Sequence, residues 1–409
     1  MNKLKLISCA FSIIPLLATL HVNAQTNDLV EVDVPDLVIE KKAVHFSQRI
    51  HTNKPISFKA KGYTSISDEY WFEATGKQLK TGINLAISTP GALVRLSGKQ
   101  AAGKYSTQIK AIDPSSVQLF KNNKKLYAPF SQKVSQQEFA TANIFPNSSA
   151  MKLNSELGRG EFTLKVNDYL DDNQRYVVNV KEKNAEHKLH LSLAKQSYMQ
   201  GQKIDFTSQL KATSTNKAAL TQGRPIVYIK TPSGEKKQLN FTKSGEQFQF
   251  TLPTNLTQAK RGQLFELYVE TENKVNNLKV KRNAKVAFAV AQPTARIEAV
   301  TPINKGSYTL REDNALMQKT FVPSFVNIDL QVASEGRYEV SAMIYGSSGK
   351  KLSLPFMLSR SAYYLTPGEH TVKLQLDTNI IKSSGVKAPY IVKNVRLMDQ
   401  SRMALLQQM

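Results

Sequence analysis

Between Lys188 and Ala194 the chain alternates. Leu189, Leu191 and Leu193 are separated by His190 and Ser192, with Lys188 ahead of them and Ala194 behind. Successive side chains of an extended chain point to opposite faces, so a period of two marks a strand with one buried face. Six more candidate strands follow: Lys203–Leu210, Pro225–Thr231, Lys236–Lys243, Phe248–Pro253, Leu264–Asn273 and Lys279–Val290. Pro232-Ser233-Gly234-Glu235 has the composition of a hairpin turn between two of them. Seven short strands in one region predict an immunoglobulin-like sandwich, here without a Cys–Trp–Cys core.

The end of the chain repeats the theme. Phe325–Val332, Gly336–Tyr345, Leu352–Leu358, His370–Leu376 and Tyr390–Leu397 have strand character, and Gly346-Ser347-Ser348-Gly349 is expected to turn. The first region is less regular. Its expected strands are Ile56–Ala60, Tyr70–Ala74, Ile83–Ile87, Leu93–Leu96, Glu161–Val166 and Arg175–Val180. Ser135-x-x-Glu138 forms a capping box, predicting a short helix over Gln136–Asn143 that Pro146 ends. The acidic, Val-rich stretch Asp28–Glu40 is either a flexible leading arm or an added strand. The expected fold class is therefore mainly β and multi-domain. A β-rich N-terminal domain with one short helix spans 25–185, an immunoglobulin-like β-sandwich 186–293, and a C-terminal β-sandwich 294–409.

Residues 1–24 stand apart. Lys3 and Lys5 precede an apolar run from Leu6 to Leu20, and Val22-Asn23-Ala24 closes it with small outer residues. That is the pattern of a secretory signal peptide cleaved after Ala24, and the expected location is secreted or periplasmic. The run is shorter than the about 20 apolar residues a spanning helix needs, and no later segment approaches that length. Leu6-Ile7-Ser8-Cys9 imitates a lipoprotein box, but too few residues precede Cys9 for it to act as one. Cys9 is the only cysteine of the 409 residues, so cleavage would leave none. Thiol catalysis and cysteine-based zinc sites are then excluded.

Charge adds a second theme. There are 55 Lys and Arg against 32 Asp and Glu, a formal net charge of +23. The excess is densest over 186–295, with 17 basic and 7 acidic residues. An exported protein of this kind is drawn to anionic surfaces such as lipopolysaccharide, acidic glycans and DNA, in a salt-dependent way. Lysine along strand edges also blocks unwanted pairing. No nucleic-acid module signature occurs, so the expected partner is an anionic surface or another extracellular protein.

Candidate chemistry is sparse. Gly-x-Ser-x-Gly and His-Glu-x-x-His are both absent, and none of His45, His51, His187, His190 and His370 has a recognisable acid–base setting. Asp68-Glu69-Tyr70-Trp71-Phe72-Glu73 is the best candidate for carbohydrate contact: on a strand, Glu69, Trp71 and Glu73 share one face. Tyr70 and Phe72 are then expected to enter the core. Lys279, Lys281, Arg282 and Lys285 form the densest basic stretch and a candidate anion-binding stripe, with a solvated face as the blander reading. No cofactor is expected. The one ion left open is calcium, at Asp168, Asp171 and Asp172, although the cluster reads better as solvated hairpin residues and its spacing fits no EF-hand loop.

Several stretches carry a resemblance. Tyr70-Trp71 is followed by Thr89-Pro90-Gly91-Ala92-Leu93-Val94-Arg95-Leu96-Ser97, and Phe288-Ala289 by Pro293-Thr294-Ala295-Arg296. Near the end come Gly336-Arg337-Tyr338-Glu339-Val340, Tyr345-Gly346, Leu365-x-Pro367-Gly368, Ala388-Pro389-Tyr390 and Asp399-Gln400-Ser401-Arg402-Met403-Ala404-Leu405-Leu406. Together they resemble a domain-of-unknown-function family of secreted γ-proteobacterial proteins found in Legionella and in relatives of Xanthomonas. The resemblance implies three β-rich domains and an extracellular role. It brings no activity and no catalytic residues. The expected function is a secreted, non-catalytic binding protein. A secreted hydrolase with its site around Glu69 and Trp71, and a periplasmic accessory protein for assembly, are the alternatives.

Overall fold

The computed structural model describes residues 29–33, 40–51, 62–99, 109, 111–145, 147–213, 220–221, 223–244, 246–253, 264–303, 308–312, 319–348 and 351–409. The signal segment, the strand expected at Ile56–Ala60 and the helix-ending Pro146 lie outside the described residues. The protein is mainly β, with three short helices among the described residues. It divides into two compact units, Ala60–Val290 on one side and Met1–Lys59 with Ala291–Met409 on the other.

Within Ala60–Val290 there are two sandwiches. In the first, one sheet runs Glu69–Thr75, Arg175–Lys181, Leu93–Gly98, Ser148–Leu153, Phe130–Val134; the other runs Ile83–Ile87, Gly160–Val166, Val117–Lys121, Lys124–Lys125. Their inward residues, among them Leu85, Val94, Leu96, Leu119, Phe162 and Val178, make one apolar core. Burial of this apolar surface is what holds the sheets face to face. Four strands of this sandwich, Val117–Lys121, Lys124–Lys125, Phe130–Val134 and Ser148–Leu153, go beyond those the pattern predicts.

The second sandwich is the predicted immunoglobulin-like region. One sheet runs Thr242–Ser244, Gln247–Thr251, Lys203–Ala212, His187–Leu193, Tyr63–Ser67; the other runs Ser197–Met199, Leu278–Ala291, Phe265–Val275, Ile226–Lys230, Lys236–Gln238. Leu189, Leu191 and Leu193 face the core, as their alternation requires. The outer strand Tyr63–Ser67 comes from far upstream and pairs with Leu189–Leu193. The expected single strand Lys236–Lys243 is two. Lys236–Gln238 pairs with Tyr228–Lys230 in one sheet, and Thr242–Ser244 pairs with Gln247–Gln249 in the other. Leu239, Asn240 and Phe241 carry the chain across the side of the sandwich.

In the other unit, a five-stranded sheet runs Val44–Arg49, Lys351–Leu365, Gly336–Ser348, Lys387–Asp399, Ala404–Gln408. A three-stranded sheet runs Ala295–Val300, Phe325–Val332, Gly368–Gln375. Gly346, Ser347 and Ser348 continue their strand rather than turn. A side chain at Gly346 would meet the Lys387 carbonyl at 2.9 Å, so this glycine permits a close backbone approach. The leading stretch Leu29–Asp33 is neither free nor a strand. Val30 N–H donates to the Pro293 carbonyl (3.0 Å), Val32 N–H to Ser334 Oγ (2.8 Å), and Ser334 Oγ to the Val30 carbonyl (2.7 Å).

Two of the helices open on capping boxes. The helix Gln136–Thr141 opens on the Ser135–Glu138 capping box, both halves of which are made. A second box, Thr75 with Gln78, opens the helix Gly76–Thr81, which the pattern did not suggest.

Candidate binding site

The strand Glu69–Thr75 has the polarity expected of it. Tyr70 and Ala74 are buried, Phe72 packs against the core, and Glu69, Trp71 and Glu73 face outward. The Tyr70 hydroxyl bridges both backbone groups of Ala86, at 3.1 and 3.0 Å, and burial drives its pKa far above the usual phenol value. The outward face is already occupied by structural contacts. Asn179 Nδ2 donates to Glu69 Oε2 (3.1 Å) and Asn283 Nδ2 to the Trp71 carbonyl (2.6 Å). The Trp71 ring meets Tyr268 edge-on, 6.2 Å between centroids. Glu73 is bonded by Lys99 and lies 3.4 Å from Arg175. Partial burial pushes the Glu73 carboxyl up, but the hydrogen bond and charge of Lys99, with Arg175, outweigh it and hold the pKa below the ordinary range.

The basic stripe is corrected more deeply. Along Leu278–Ala291 the residues Val280, Arg282, Ala284, Val286 and Phe288 face inward. Arg282 is therefore no surface cation; it is fully buried. Its guanidinium donates to Glu182 Oε2 (2.7 Å), Ser88 Oγ (3.0 Å) and the carbonyls of His187 (3.0 Å) and Lys281 (2.7 Å). Glu182, equally buried, also accepts from the Ser88 N–H at 2.6 Å and from the Ser88 hydroxyl. A buried charge persists only when paired and hydrogen-bonded on every side, as here. The three outward lysines share a face as expected, but each has a carboxylate. Lys279 pairs with Glu161 (2.5 Å), Lys281 with Glu272 (3.4 Å) and Lys285 with Glu266 (2.8 Å). The hydrogen bond to Glu161 raises the pKa of Lys279, and that to Glu266 raises the pKa of Lys285. The stripe is an alternation of paired charges.

The candidate calcium residues serve their own turn. Asp168 Oδ1 accepts from the Tyr169 N–H (2.7 Å), Asp171 Oδ1 from the Asn173 N–H (2.8 Å), and Asp172 pairs with Lys80 (2.6 Å). Among the described residues, no three His, Cys, Asp or Glu side chains gather as a metal site would require.

The concave feature that the sequence did not announce lies on the side of the immunoglobulin-like sandwich, where the chain crosses between sheets. A cavity of about 450 Å³ is lined by Gly223, Arg224, Pro225, Phe241, Lys243 and Phe248. A second, of about 420 Å³, shares Arg224, Pro225 and Phe241. Arg224 lies over the Phe241 ring at 5.2 Å, and Lys243 over Phe248 at 5.7 Å. Among the described residues neither cation has an acidic partner, and no carboxylate lines either cavity. The rim is rigid. Gly223 N–H donates to the buried Asn273 side chain at 3.2 Å, and a Cβ at Gly223 would collide with the Glu272 carbonyl. The available signal was the run Lys236-Lys237-Gln238, whose lack of alternation argued against one continuous strand.

Comparison with known proteins places the chain. Residues 36–182 match the N-terminal domain of the domain of unknown function DUF4785, and residues 311–409 match its C-terminal domain. The chain belongs to the DUF4785 family. It is similar to the crystal structure of a DUF4785 family protein from Legionella pneumophila, with a TM-score of 0.66 and 19% identity over 94% of this chain and 96% of that one. At that identity the likeness establishes the fold. No curated protein matches the chain.

Three of the stretches that carried the resemblance, those holding Thr294, Arg337 and Asp399–Arg402, meet in the C-terminal unit. Thr294 Oγ1 donates to Asp399 Oδ2 (2.8 Å), which also receives Arg402 Nη1 (2.8 Å). Arg402 Nη2 reaches the carbonyls of Val32 (2.6 Å) and Asp33 (3.1 Å). Arg337 donates to Gln400 Oε1 (3.0 Å) and to the carbonyls of Glu40 and, at 2.9 Å, Lys42. These two arginines clamp the leading segment by its backbone, a job that needs a rigid multi-donor fork.

Proposed function

We propose that this DUF4785 protein is an exported, non-catalytic binding protein that engages anionic material. The observation that carries this reading is the cation–aromatic cavity of the immunoglobulin-like sandwich. Arg224 and Lys243 are the cations there that no described carboxylate neutralises, whereas Lys279, Lys281 and Lys285 are paired. The signal-peptide pattern of residues 1–24 and the net charge of +23 support export and attraction to anionic surfaces. A hydrolase using Glu69 and Glu73 is the weaker reading. A proton-donating carboxyl needs a raised pKa, and that of Glu73 is lowered by its cations.

The test is retention of the protein on lipopolysaccharide, acidic-glycan and DNA surfaces, eluted from about 50 to 500 mM salt. Arg224→Glu/Lys243→Glu is compared with Lys124→Glu/Lys125→Glu, which makes the same charge change on an exposed strand of the first sandwich. The cavity variant should elute at lower salt than the control variant from at least one surface. Equal shifts would reduce the effect to net charge and overturn the reading.

A further inference from the structure

Resting on that reading, we infer that the cavity takes a single-chain anionic amphiphile: a charged head held by Arg224 and Lys243, and an apolar body laid against Pro225, Phe241 and Phe248. Both halves of the ligand are written in the lining. Apart from its two cations, the larger cavity presents Gly223, Pro225, Phe241 and Phe248. Phe241 and Phe248 are themselves part of an aromatic group with Phe206, at 6.3 and 5.3 Å between ring centroids. A small inorganic anion would satisfy the cations and leave the half-buried Phe241 ring uncovered; Pro225 and Phe248 are already largely buried behind it. A neutral alkyl ligand would cover the wall and make no use of the two exposed cations, each of which already lies over a ring. The volumes of about 450 and 420 Å³ fall within the about 300–1,000 Å³ common for small-molecule sites. The two cavities share Arg224, Pro225 and Phe241 in their linings. Pro225 restricts the backbone beside Arg224, and the buried Asn273 side chain accepts from the Gly223 N–H.

The experiment is calorimetric titration of the protein with dodecyl phosphate below its micelle concentration, beside dodecyl maltoside, inorganic phosphate and vesicles containing phosphatidylglycerol. Dodecyl phosphate should bind saturably at one per chain, and the maltoside at least about tenfold more weakly, the loss expected when charged hydrogen bonds go unmade. Inorganic phosphate should not compete. Arg224→Glu/Lys243→Glu, its fold checked by circular dichroism, should weaken dodecyl phosphate by a similar factor. The inference is overturned by equal binding of phosphate and maltoside amphiphiles, by inorganic phosphate binding as well as the amphiphile, by undiminished binding in the variant, or by vesicle binding without monomer binding. Loss of the amphiphile result with retention on anionic surfaces still dependent on Arg224 and Lys243 would sink this inference alone. Loss of both would sink the anion-binding reading as well.

Discussion

Replacing Glu182 with glutamine keeps the shape of a buried side chain and removes the only carboxylate among the described residues that is bonded to Arg282. Both side chains are fully shielded from solvent and 2.7 Å apart. The guanidinium would keep its bonds to Ser88 and to the carbonyls of His187 and Lys281 but lose its counter-charge. Breaking a buried pair by removing one partner costs about 3–5 kcal/mol. For a cooperative unit of the size of Ala60–Val290, about 2–4 °C of Tm accompanies each kcal/mol, so the transition should fall by about 6–20 °C. Trp71, the single tryptophan, lies in this unit against Tyr268, so its fluorescence during thermal or urea unfolding follows this unit alone. Lys285→Met is the companion measurement. Its partner contact with Glu266 is half-exposed, and its loss should cost no more than about 1 kcal/mol. Glu182→Leu with Arg282→Met should be less damaging than Glu182→Gln alone, since no lone charge is then left inside. A Glu182→Gln protein within about 1 kcal/mol of the parent would refute the claim that this pair is desolvated.

Two further outcomes are expected. Burial lowers the pKa of His187, with Arg282 and Arg159 adding to it against Glu186; His190 is lowered by burial, then by Lys211 and Lys188. A lowered histidine resists protonation in the folded state, so stability is full above the ordinary pKa of about 6.5 and falls as pH drops through it towards the folded values. Trp71-monitored Tm should therefore decline between about pH 7.5 and 5.5, and His187→Gln/His190→Gln should flatten that decline; parallel curves would count against it. In the other unit, Arg337→Met removes the bonds to the carbonyls of Glu40 and Lys42, each charged bond worth about 1.5–3 kcal/mol. Trypsin should then cut at Lys41 or Lys42 at least about tenfold faster, and an unchanged rate would show that the arginine does not hold the segment.

Much of the fold was legible because strand character is local. Leu189, Leu191 and Leu193 declare a buried face by their spacing alone, and the Ser135–Glu138 box declares a helix start from four residues. The outward orientation of Glu69, Trp71 and Glu73 followed from the same period of two, although contacts leave Glu69 and Trp71 half-buried. That period also places Arg282 opposite Lys281, and hence on the core face, but an arginine there makes sense only once Glu182 and Ser88 are known to meet it. Those partners lie 100 and 194 residues away in the chain.

The amino-acid sequence by itself determined that the chain is mainly extended, which faces of its regularly alternating strands are apolar, where one helix begins, and how much positive charge the chain carries. Each is decided by the residue's own chemistry and its nearest neighbours. Only the tertiary structure decided which strand lies beside which. Val44–Arg49 pairs with Met357–Ala362, and Tyr63–Ser67 pairs with Leu189–Leu193, because an unpaired backbone edge accepts any strand that the connecting chain and the side-chain packing can bring to it. It likewise decided that the stripe lysines are neutralised by glutamates of other strands, and that the side of the sandwich where Lys236–Gln238 gives way to Thr242–Ser244 holds two cations above aromatic rings. Charge is counted along the sequence, but whether a charge is free depends on distances that close only on folding.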